Sequence, residues 1–86
     1  MRLRIDEGQS LPTGTGLIIT NEGTSHDNFG PGGFDMSMSL HFRSDVEEVR
    51  HMPSFRDRRA HAVLGHCYRI VDAAPGAVLL EISTKR

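Results

Sequence analysis

Five histidines, nine arginines and a single cysteine are the residues of this 86-residue chain most able to do chemistry, and they concentrate between positions 50 and 69. His61, His66 and Cys67, with His51 upstream, form the set closest to a metal site. His61 and His66 satisfy the loose H-x₃₋₅-H spacing of zinc proteins, but no cysteine pair accompanies them. Adjacent residues in a strand point to opposite faces, so His66 and Cys67 do not converge on one ion. No metal and no cofactor are expected. Ser25-His26-Asp27 carries the residue types of a hydrolytic triad, yet a triad requires convergence in space that neighbours in sequence do not supply. Gly14-Thr15-Gly16 precedes a strand instead of joining strand to helix, and Gly30-Pro31-Gly32-Gly33 lacks the Gly-Lys-Ser/Thr of a phosphate loop. Both read as turns. Glu47 and Glu48 read as acids at a helix start, not as a general acid and base. The chain is not expected to be an enzyme; a small metal-dependent enzyme is the third reading.

The arginines are the stronger signal. Residues 1–49 hold eight acids against three arginines, whereas residues 50–69 hold five arginines against Asp57 alone. Such segregation speaks to association, not to fold. Arg50, Arg56, Arg58 and Arg59 fall in one segment and would form a positive helical face. That face suits an acidic protein surface, where arginine is favoured, or alternatively a phosphate backbone. The acidic balance elsewhere, and the lack of an RNA-stacking motif or helix-turn-helix, favour protein. Residues 21–33 hold four glycines, a proline and one aromatic, and read as a long mobile loop that could add contacts through His26, Asp27, Asn28 and Phe29.

The elements that would position these residues follow from periodicity. Residues 34–42 alternate apolar and polar for nine positions, placing Phe34, Met36, Met38, Leu40 and Phe42 on one strand face. Shorter strands are predicted around Leu3 and Ile5, at 15–20, 67–71 and 77–83, with a loop at 72–76. Ser44-Asp45-Val46-Glu47 has the form of a capping box, so a helix is predicted to start there and to stop or kink before Pro53. Val46, Val49 and Met52 would share its apolar face. Ser54 and Asp57 resemble a second cap, opening a helix that ends at Gly65. The predicted fold is therefore α+β: about five mostly antiparallel strands (β-β-β-α-β-β) packed on one side by a Pro-interrupted helical segment.

One domain spanning 1–86 is expected. With 37% apolar residues and no tryptophan its core is modest, and chains this small often gain stability as a homodimer or on a partner. No stretch approaches the roughly 18 apolar residues of a membrane helix, and the start of the chain lacks a signal-peptide core. A lone cysteine fits a reducing compartment, so a cytoplasmic location is expected. The leading expectation is a non-enzymatic protein that acts by binding another macromolecule. An adaptor, or an inhibitor such as a phage-encoded antagonist of a host system, would fit. A nucleic-acid or anionic-ligand binder using the same arginines is the alternative.

Overall fold

The computed structural model describes the backbone of residues 1–28, 34–74 and 76–84, and the side chains of all of these except 25–28 and 34–36. Eight strands are present among the described residues: β1 (Arg2–Asp6), β2 (Ser10–Pro12), β3 (Ile18–Asn28), β4 (Phe34–Arg43), β5 (Glu48–His51), β6 (His61–Val63), β7 (His66–Ala74) and β8 (Ala77–Thr84). They form two four-stranded antiparallel sheets, ordered β2-β3-β4-β5 and β1-β8-β7-β6. Each sheet is a meander, except that β1 joins the second sheet from the far end of the chain. There is no helix among the described residues, so none that could cross a membrane. The predicted α+β fold is thus corrected to an all-β sandwich.

The helical segment fails for an identifiable reason. The local bonds that suggested it do form, but in turns. The Ser44 hydroxyl accepts from the Glu47 amide at 3.1 Å, while the Ser44 amide donates to the Glu47 carbonyl at 2.8 Å, closing the β4–β5 hairpin. Ser54 C=O accepts from Asp57 N–H at 3.0 Å, and Asp57 Oδ1 accepts from Arg59 N–H at 3.1 Å. Ser and Asp side chains bond nearby backbone in turns as readily as at helix caps, so the pattern alone does not separate the two. Gly65 is not a helix stop: with φ 78° beside Leu64 at φ 44°, it completes a tight turn between the paired Val63 and His66. Positive φ at both central residues is the signature of the hairpin turn that matches strand twist.

The alternation over β4 holds where side chains are described. Met38, Leu40 and Phe42 are buried, and they pack with Leu17 and Ile19 against Ile5, Tyr68, Ile70, Val78, Leu80 and Ile82 of the opposing sheet. Phe42 and Tyr68 meet across the sandwich with ring centroids 4.9 Å apart. Residues 21–28, predicted as loop, instead extend β3, whose ladder with β4 runs out to Asn28↔Phe34. The β7–β8 ladder closes at Ala74↔Ala77, a shorter connection than the predicted loop at 72–76. Strand β2 was not foreseen, because Pro12 and the glycines around it read as a break; Pro12 is tolerated on an edge strand.

Among the described residues, Asn21 and His66 each make a polar link between the sheets. Asn21 is fully buried at a bulge in β3, donating through Nδ2 to Ile5 C=O at 3.0 Å and accepting from Gly23 N–H at 3.0 Å. At the other side, His66 joins the turn after β6 to the loop before β3. Its Nδ1 lies 2.9 Å from Leu64 C=O, which can only accept, so in the neutral ring Nε2 accepts from the Thr15 hydroxyl at 2.6 Å.

Candidate functional site

Large apolar side chains that fail to reach the core are few: Met1, Val46, Val49 and Met52 are the exposed ones among the described residues. Three of these four fall within seven consecutive positions, 46–52, and that stretch contains β5, an edge strand of its sheet. Val46 is 87% exposed and Met52 73%. The pattern that predicted one apolar helix face here instead strings apolar residues along an open edge.

The backbone of β5 is oriented by the phase of its ladder. The Met38 N–H donates to Pro53 C=O at 3.2 Å, and the Ser44 N–H donates to Glu47 C=O at 2.8 Å, bracketing the β4–β5 pairing at either end. Bonded and non-bonded pairs alternate in an antiparallel ladder, so Leu40/His51 and Phe42/Val49 are the bonded pairs. The main-chain N–H and C=O of Glu48 and Arg50 therefore point away from β4. Among the described residues no strand lies on that side. Outside the hydrogen-bonding direction, Arg50 and Glu48 project from the outer sheet face. Arg50 Nε donates to Glu22 at 3.0 Å, and His41 Nε2 sits 3.2 Å from Glu48. Glu22 holds the Arg50 guanidinium even more firmly protonated than usual.

The other predicted arginines do not join Arg50 on a helix. Arg59 makes a two-pronged contact with Asp57, at 3.0 Å through Nε and 3.1 Å through Nη2. Hydrogen bonds from the Arg59 side chain and then its backbone pull the Asp57 carboxyl down to about 2. Arg58 lies over the Phe55 ring, 4.6 Å from its centroid, and donates to Val71 C=O at 2.7 Å where β7 bulges. Arg56 is exposed in the same loop. The Arg58 guanidinium fastens the 52–60 connection to the second sheet, and Arg59 braces that connection from within through Asp57. His26, Asp27 and Asn28 lie on β3, opposite Met36, Asp35 and Phe34, and Phe29 lies outside the described residues.

A polar cluster missed from the sequence closes the sandwich beneath β5. His51 Nδ1 and the Tyr68 hydroxyl are hydrogen bonded at 2.8 Å, and His61 stacks on Tyr68 with centroids 5.1 Å apart. His61 Nε2 lies 3.4 Å from Asp57 Oδ2 without a hydrogen bond, and is buried. Burial, and then repulsion from His61, lower the His51 pKa, while burial and Asp57 push Tyr68 up to about 12. Strand parity could have placed His51 and Tyr68 on inner faces, but only if 48–51 had been read as a strand. Neither this cluster nor the His66 group gathers three side chains able to hold a metal ion among the described residues. Thr15 and His66 have the hydroxyl-to-imidazole contact that begins a nucleophile–base pair. Here His66 is buried, and Thr15 also bonds Thr13 at 2.7 Å, an arrangement that pins a loop to a turn. Comparison with protein-family models, with curated proteins and with solved structures found no match.

Proposed function

We propose that this chain is a small non-enzymatic protein-binding domain, an adaptor or inhibitor acting in the cytoplasm, that docks through the open edge of β5. The observation that carries this reading is the coincidence of two things on residues 46–52: unpaired main-chain groups and the densest exposure of large apolar side chains. An added strand takes affinity from main-chain hydrogen bonds and specificity from alternate side chains. Val46, Val49 and Met52 supply apolar anchors, and Arg50 and Glu48 supply charged ones. The histidines and threonines that could do chemistry are occupied in joining the two sheets. Arginines held by Asp57, Val71 and Glu22 favour a protein partner over a phosphate backbone.

Arg50→Pro tests the assignment. The Arg50 N–H faces outward, so proline there leaves the β4–β5 ladder intact but removes an edge donor. Partner capture from lysate should be lost by Arg50→Pro and by Met52→Glu, and retained by Arg4→Ala on the far edge strand β1. Capture that survives both β5 variants would refute edge docking.

A further inference from the structure

From the order of residues along β5 we infer that the occupant of this edge is a second copy of the same chain, paired antiparallel about a two-fold axis at Val49. This rests on the reading of β5 as a docking edge and names its partner.

The stretch Val46-Glu47-Glu48-Val49-Arg50-His51-Met52 runs apolar, acidic, acidic, apolar, basic, basic, apolar. It is complementary to its own reverse. In a two-fold antiparallel pairing centred on Val49, Glu48 of each copy faces Arg50 of the other, and Val49 faces Val49. Beyond Glu48 the chain enters the 44–47 turn, so the ladder is confined to β5, and Val46 and Met52 flank it. Glu48 thus meets Arg50 in each half, and Val49 meets Val49 on the axis.

The backbone phase admits this register. In an antiparallel ladder a bonded pair consists of two residues whose N–H and C=O both point into the new interface. Glu48 and Arg50 both point outward, so they can exchange hydrogen bonds in each half of the dimer. Val49 on the axis then occupies a non-bonded pair, where opposed side chains approach most closely. Registers centred between two residues pair an outward group with an inward one and cannot form a ladder. The neighbouring allowed registers, centred on Glu48 or Arg50, set like charges on the axis, which destabilises cross-strand pairs. On the outer face the intrachain pair Arg50–Glu22 would continue through the axis into Glu48 of the other copy. The partly exposed Val49 and the exposed Val46 and Met52 would be covered.

A charge-exchange experiment tests the register. The wild-type chain should have twice its 9.5 kDa monomer mass by sedimentation at high concentration. Glu48→Arg alone and Arg50→Glu alone each place like charges opposite one another in both halves, and each should weaken the dimer by about tenfold or more. Mixed in equal amounts, the two variants should recover the dimer mass, because two positive positions on one chain then face two negative positions on the other. The double variant Glu48→Arg/Arg50→Glu should also dimerise. Recovery on mixing requires both variants to be folded. As a check independent of charge, Val49→Cys in a Cys67→Ser background should form an interchain disulfide on mild oxidation. A wild-type chain that stays monomeric, or variants that associate as well as wild type, would overturn the self-pairing. If the chain is monomeric yet Arg50→Pro still abolishes capture of a different protein, only the identity of the partner falls. If capture also ignores β5, the edge reading falls with it.

Discussion

Asn21 shows at the level of one residue how this small sandwich is held to a single arrangement. Its side chain satisfies Ile5 C=O in one sheet and Gly23 N–H in the other, with no exposure to water. Asn21→Leu would remove the buried donor to Ile5 C=O and the acceptor of the part-buried Gly23 N–H, and should destabilise by at least the roughly 1–3 kcal/mol of one orphaned group by urea unfolding. Truncating Met38 to alanine in the neighbouring core should cost ~2–5 kcal/mol. His51 adds a pH dependence. Burial, with His61 nearby, lowers its pKa in the folded chain below the ordinary 6.5, so the unfolded chain binds the proton more readily. Its contribution to stability is complete above about 6.5 and is lost as the pH falls through the folded value. Melting temperature should therefore drop on acidification through the range below 6.5, and His51→Phe should reduce that drop. An unchanged slope would show that another group sets it.

Among the elements, the strands were more legible than the connections. The period-two run ending at Phe42 located β4 to within one residue, because a strand with one covered face writes that alternation directly into sequence. The segment 44–64 reads as helical in sequence because Ser44 with Glu47 and Ser54 with Asp57 form the same short-range bonds in turns as at helix starts. Val46, Val49 and Met52 fit a helical stripe by their three-residue spacing alone, which the turn and edge strand here also satisfy. The β5 edge was therefore invisible as an edge, although Arg50 was singled out on it. The bulge in β3 was equally hidden, as Gly23 read as part of a glycine-rich loop. Its φ of 143° is one that side-chain-bearing residues rarely adopt, and a Cβ there would meet Glu7 Oε1 at 3.1 Å. Gly23→Ala should lower stability by about 1–3 kcal/mol for the forced backbone, measured by thermal or urea unfolding. A neutral outcome would mean that the bulge relaxes.

For the molecule as a whole, the division of labour is between two ends of the charge pattern. Arg58 secures the 52–60 connection onto the second sheet and Arg59 braces it from within, whereas Arg50 and Glu48 stand on the free edge of the first. Arg58→Glu should accordingly lower the melting temperature through loss of its bond to Val71 and its packing on Phe55, while Arg50→Glu should leave folding nearly unchanged and act on association. β5 is an edge strand whose outward main-chain groups await another strand, and Met52 follows it in the same phase. Residue-resolved amide hydrogen exchange tests it most directly. In dilute solution the amides of Val49 and His51 should be protected by β4, while those of Glu48, Arg50 and Met52 exchange rapidly. Raising the concentration should then slow Glu48 and Arg50 selectively. Uniform protection of four consecutive amides, as in a helix, or rapid exchange at all five positions at every concentration, would contradict it.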